Sequence, residues 1–177
     1  MDYDAERARY KPSKLRALFI AESPPLPHSN RFFYFEKGME RDLLFLETIR
    51  ACFPQATMGK SAREIRLDKS EYLDDFKSKG FYLIDATDTP IAGLSKKQKL
   101  EALSQSKEFL QDKVRQLIKG RTPIILISHS VWQTHSESLK SLGYNVAHKK
   151  PIPFPAFGHQ PTFRTAVTSI LELNGLI

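Results

Sequence analysis

The chain has 177 residues, 41% of them hydrophobic and 12 of them Phe, which is enough for one domain with its own core. A single cysteine, Cys52, excludes a disulfide framework and any four-cysteine zinc or iron–sulfur site. No apolar run reaches membrane-spanning length, residues 1–14 are too charged for a secretory signal, and the net charge of +7 suits a phosphate backbone as readily as plain solubility.

In chain order, residues 1–14 read as a polar lead-in to a single domain over 15–177. The first strand lies within residues 16–25 and runs into a proline-rich loop (Pro24, Pro25, Pro27). The aromatic run Phe32-Phe33-Tyr34-Phe35 follows. Residues 40–52 carry a helical apolar pattern (Leu43, Leu44, Leu46, Ile49) that stops before Pro54. Residues 55–67 are polar and basic with no clear period. Residues 68–79 form a short helix closed by Gly80, and a second strand starts at once over 81–88. Ser95-Lys96-Lys97-Gln98 fits a capping box, opening one long helix through Leu100, Leu103, Leu110, Val114, Leu117 and Ile118 to Gly120. The third strand lies in 124–130. Ser130 to Gln133 reads as a second capping box, for a helix ending near Gly143. A fourth strand is expected between Tyr144 and the loop 153–160, and a last helix over 162–173. Strands alternating with helices predict a three-layer α/β/α domain around a central, mostly parallel sheet of four strands.

Polar clusters stand at the carboxyl ends of these strands, where open parallel sheets bind ligands. Glu22 and Ser23 end the first strand, beside prolines that stiffen the loop. Asp85 ends the second with no turn before it, so it needs hydrogen-bond donors that a ligand or a local turn must supply. Asp88 reads as turn chemistry. Ser128, His129 and Ser130 end the third. They lack the glycines of a hydrolase nucleophile elbow, and no Asp follows them, so Ser130 is read as a helix cap. His159 sits in the Gly- and Pro-rich loop before the last helix, flanked by Lys149, Lys150 and Arg164, a candidate phosphate clamp. Four successive aromatics cannot share one direction, so one of them is expected to face the crevice as a base-stacking ring.

The order of these clusters resembles the uracil-DNA glycosylase superfamily over roughly residues 16–173. Ala21-Glu22-Ser23-Pro24-Pro25 stands where the family has Gly-Gln-Asp-Pro-Tyr or Gly-Glu-Ala-Pro-Gly. Gly80-Phe81-Tyr82-Leu83-Ile84-Asp85-Ala86 stands where it has Gly-Val-Leu-Leu-Leu-Asn-Ala. Phe154-Pro155-Ala156-Phe157 stands at its His-Pro-Ser-Pro loop. The resemblance implies a protein of DNA repair that binds single- or double-stranded DNA and flips a base, an N-glycosyl hydrolase needing no cofactor or metal. It implies Phe33 as the stacking ring, with Tyr34, Ser128, His129 and Phe154 lining the pocket. Glu22, Ser23, Asp85 and His159 are its catalytic candidates, with Glu22 first choice for positioning water.

Three substitutions separate the chain from that pattern. Ser23 replaces the water-positioning Asp, Asp85 replaces the uracil-reading Asn, and Phe154 replaces the His unless His159 substitutes for it. An ionised Asp only accepts hydrogen bonds, so a donor-rich base suits Asp85 better than uracil does. These departures favour a second reading, a non-catalytic nucleic-acid or nucleotide binding domain on the same fold. A third is a phosphoryl-transfer enzyme with Glu22, Asp85 and Asp88 around magnesium. The chain is expected to be a cytoplasmic monomer.

Overall fold

The computed structural model describes residues 2–37 and 41–177. Three of the apolar runs form strands: β1 (Ala17–Ala21), β2 (Phe81–Asp85) and β3 (Ile124–Leu126), all parallel, in the order β2-β1-β3. Every strand residue is buried, which is why the runs are unbroken rather than alternating. The chain leaves β1 for β2, then crosses back over β1 to reach β3. The crossovers run in opposite directions, which for the right-handed connections that parallel strands favour sets their helices on opposite faces of the sheet.

The first crossover carries α2 (Leu43–Cys52), α3 (Pro54–Thr57), α4 (Ala62–Leu67) and α5 (Lys69–Ser78). The predicted start of α2 at Glu40 lies outside the described residues. The featureless stretch 55–67 holds two short helices, and α4 opens on a complete capping box between Ser61 and Glu64. Gly80 follows α5 at φ +78°, where a Cβ would stand 2.6 Å from the Lys14 carbonyl oxygen, so only glycine fits the turn into β2.

The second crossover is two helices rather than one, α6 (Lys96–Gln105) and α7 (Lys107–Leu117). The break falls at Ser106, whose hydroxyl donates to the Leu103 carbonyl at 2.9 Å and competes with the helical ladder. The expected box at Ser95 and Gln98 is formed. After β3 come α8 (His129–Ser141) and α9 (Gln160–Leu173). The cap of α8 is Ser128, not Ser130: the Ser128 hydroxyl accepts from the Val131 N–H at 3.2 Å, and Ser130 lies inside the first turn. Helix α9 packs on α2, and α8 packs on α6.

Among the described residues the sheet has three strands, and the expected fourth is not formed. The segment beside β3 makes two isolated parallel bridges, Ile124 with Val146 and Ile127 with Ile152. Between them a histidine ring takes the place of a strand. His148 Nε2 accepts from the Leu126 N–H at 3.0 Å, and Nδ1 lies 2.7 Å from the Lys150 carbonyl. With Nε2 accepting, Nδ1 carries the proton and donates to that carbonyl. The other edge is closed in the same way. The Tyr34 hydroxyl accepts from the Leu83 N–H at 2.7 Å and donates to the Leu83 carbonyl at 3.0 Å.

The lead-in is folded. Helix α1 (Tyr3–Arg9) is capped by the Asp2 carboxylate, with acidic residues in its first turn and basic ones in its last, as the helix dipole favours. The Tyr3 hydroxyl donates to the Pro25 carbonyl at 2.9 Å, and the Tyr3 ring lies 4.6 Å from that of Phe32.

Candidate functional site at the carboxyl edge

Asp85 is 2% exposed, and one of its carboxylate oxygens is already bonded from within the chain. Arg7 of α1 reaches it, Nη2 to Oδ2, at 2.7 Å, while the Arg7 Nη1 donates to Asp4. Neither a ligand nor a local turn supplies the donor; the lead-in does. Burial outweighs this attraction and pushes the Asp85 carboxyl up to about 6. Tyr82 adds a further tie, its hydroxyl donating to the Arg7 carbonyl at 3.4 Å.

Ala21 and Asp85 are register partners, so Glu22, one residue on, turns toward the opposite face. There its nearest cation is Lys99 of α6, at 3.9 Å. The Glu22 carboxylate is half-buried and makes no hydrogen bond among the described residues, and its backbone carbonyl accepts from the Thr87 N–H at 3.2 Å. Ile20 pairs with Leu126, and two residues further along each strand bring Glu22 level with Ser128. Ser128 has φ 92° and ψ 152°, a region that glycine alone adopts freely, at a cost of about 1–3 kcal/mol. Strain of this kind collects at functional sites, and here it turns β3 directly into α8. His129, the first residue of α8, is exposed. Register thus sets Glu22 and Ser128 level just past the ends of the neighbouring strands β1 and β3, while Asp85 ends β2 on the other side of β1.

Ser23 ties loops together: its hydroxyl accepts from the Ile91 N–H at 3.2 Å and donates to the Pro24 carbonyl at 3.1 Å. The aromatic run does not face the crevice. Phe32, Phe33 and Tyr34 are all buried, with the Phe33 ring 5.4 Å from that of Phe76 and 5.8 Å from that of Phe45. Phe33 and Tyr34 thus belong to the core and to the sheet edge, and neither is a free stacking platform.

Outward-facing rings near this edge come from the last loop; Phe109, the other exposed one, lies on α7. The Ser128 N–H donates to the Ile152 carbonyl at 3.0 Å, which sets this loop beside the end of β3. Pro153 and Pro155 are buried and anchor it, while Phe154 is 38% exposed and Phe157 98% exposed. Phe157 sits at φ 52°, rare for a bulky residue, with Gly158 at φ 85° after it. His159 is exposed at the start of α9, and Lys149 and Lys150 are exposed in the turn before Ile152. Arg164 is set apart from the lysines by its partner, Glu47 of α2.

The expected magnesium trio does not assemble. Asp85 is held by Arg7, Asp88 by Lys113 at 2.7 Å, and the described residues contain no group of three or more His, Cys, Asp or Glu placed to hold a metal. Sequence reading missed Arg7, Lys99 and Phe157. Arg7 was detectable from the charge order of residues 2–9, which suits a capped helix; Lys99 and Phe157 carry no local signal. Among the described residues no helix is long and apolar enough to cross a membrane. Comparison of the chain with protein-family models, curated proteins and solved structures gives no match.

Proposed function

We propose that this protein binds nucleic acid at the carboxyl edge of its sheet, stacking a base on the loop that carries Phe157. The observation that carries this reading is an almost fully exposed Phe157 on a proline-anchored loop, in a backbone conformation that holds the ring outward, on a chain of net charge +7. Aromatic rings with cations nearby are the combination that single strands use, one supplying stacking and the other neutralising phosphate. Lys149, Lys150 and His159 flank the ring in sequence and are exposed.

Base excision is the second reading, and Glu22 is the observation in its favour. A half-buried carboxylate with no hydrogen-bond donor of its own, beside a strained strand end, is equipped to hold a water. In this reading Glu22 orients the water and the loop draws the base from its stack. The roles that family resemblance assigns to Phe33 and Asp85 pass to other groups, because one is core and the other is paired.

The test is fluorescence anisotropy with labelled single- and double-stranded oligonucleotides at low salt. Stacking is worth about 1–3 kcal/mol per base, so Phe157→Ala should weaken single-strand binding roughly fivefold to over a hundredfold. No binding by the wild type at low salt rejects the reading. Oligonucleotides with single damaged or deaminated bases, scored for abasic sites, decide on excision; Glu22→Gln should abolish cleavage while leaving binding intact.

A further inference from the structure

A groove of about 400 Å³ lies between α2, α3 and α9, with Arg50 and Arg164 among its walls. Both arginines are held on one carboxylate. Arg50 Nη1 donates to Glu47 Oε1 at 3.2 Å, and Arg164 Nη1 donates to Glu47 Oε2 at 2.5 Å. Glu47 itself is 2% exposed, so it serves as a buried post that sets two guanidinium groups side by side. Each guanidinium has five N–H donors, and one of each is spent on Glu47. The remaining donors have no partner among the described residues, and the two cations exceed their shared anion by one charge.

Hydroxyl groups complete the wall. Thr168 donates to the Ala51 carbonyl at 3.0 Å, which leaves its oxygen able only to accept. Thr165 and Ser169, one helical turn apart on α9, are exposed and have no hydrogen-bond partner among the described residues. Fixed guanidinium donors with spare hydroxyl donors and a net positive charge match the oxygens of a phosphate group. Arg164 also lies only about 6 Å along the helix axis from the start of α9, where the Phe157 loop ends.

We propose that this groove is a phosphate seat, in which Arg50 and Arg164 grip a backbone phosphate of the nucleic acid whose base stacks at Phe157. This rests on the function proposed above. The arginines' side-chain Nε–Hε signals, followed by NMR, test it directly on the full chain. Inorganic phosphate should shift both signals saturably, and a single-stranded oligonucleotide should shift them at lower concentration. Arg50→Gln should lower affinity for either probe about tenfold or more, the loss expected for a charge-assisted hydrogen bond. Thr165→Ala with Ser169→Ala, on the exposed face of α9, should lower it several-fold with the melting temperature unchanged. An oligonucleotide that binds and responds to Phe157→Ala, yet leaves both arginine signals in place, overturns the seat and spares the function proposed above. Phosphate shifting the signals with no effect of any oligonucleotide overturns the nucleic-acid assignment. An unmoved pair of signals with both probes overturns the seat outright.

Discussion

The pairing of Arg7 with Asp85 decides how the second strand end is read. A carboxylate free to accept from a base is a recognition group; one bound at 2.7 Å by a buried arginine is a fastener for α1. Truncating one partner of a buried pair costs about 3–5 kcal/mol, because the other charge is stranded. Arg7→Met keeps most of the apolar stem and removes the charge, so it should destabilise the protein by about that much at pH 7.5 in urea titrations. Its pH dependence has a definite sign. The Asp85 carboxyl is raised from 3.8 to about 6 in the folded wild type, so its contribution is full below 3.8 and is lost as pH rises through 6. Without Arg7 the folded value climbs further, and the deficit of the variant should shrink steadily on acidification toward pH 5. His135 works in the opposite sense: burial and Lys107 lower it to about 4, so its contribution is present above the unfolded value and is lost as pH falls. Comparing variant with wild type at each pH cancels His135 and leaves the contribution of Asp85. A deficit that stays constant from pH 7.5 to 5 means that Asp85 does not depend on Arg7.

The elements show where side chains stand in for backbone. His148 fills the gap between the two bridges beside β3, and its ring must be neutral to accept from the Leu126 N–H. Burial lowers its pKa and favours that state. His148→Leu leaves a buried N–H unpaired at a cost of about 1–3 kcal/mol, and the Leu126 amide should lose protection in hydrogen exchange while Leu83, at the far edge, keeps its own. Equal loss at both amides means global destabilisation rather than an opened edge. This is also where sequence reading stops. The three strands and most of the helical segments were legible because unbroken apolar runs and helical apolar periods are local signals. The fourth strand failed because the residues around His148 leave the ladder, and a ring's role as an acceptor has no sequence signature. The helical break at Ser106 came from one hydroxyl choosing the carbonyl three residues back. The cap of α8 moved from Ser130 to Ser128 because β3 turns into helix without a loop, through a conformation seldom expected of serine. Of the candidate site, Glu22 and Ser128 were legible as strand-end residues. The burial of Phe33 and the pairing of Asp85 depended on distant parts of the chain, Phe76 and Arg7.

At the scale of the whole molecule, two basic clusters stand at opposite ends of the sheet. Lys149 and Lys150 belong to the carboxyl-edge loop region, whereas Lys11, Lys14, Arg16 and Lys77 line a groove of about 590 Å³ near the start of β2, with Asp74 among them. The two ends make different predictions for the same net charge. In the amino-edge groove, Lys77 donates to the Arg9 carbonyl at 2.8 Å and Arg16 to the Gly175 carbonyl at 3.3 Å, so half of its cations already serve the fold. At the carboxyl edge the lysines are exposed and neighbour the loop with the outward ring. Each phosphate neutralised contributes about 0.7 to the slope of log affinity against log salt for a single strand. Lys149→Ala with Lys150→Ala should therefore flatten that slope by about one to one and a half, whereas Lys11→Ala with Lys14→Ala should leave it unchanged. The measurement is a salt series of anisotropy titrations on one oligonucleotide with all three proteins. A slope that responds only to the Lys11 and Lys14 pair relocates the nucleic acid to the amino edge, where no exposed ring meets it, and the stacking role of Phe157 falls with it. A slope that responds to Lys149 and Lys150 joins phosphate neutralisation and base stacking at one end of the sheet, as a single strand running past the Phe157 loop requires.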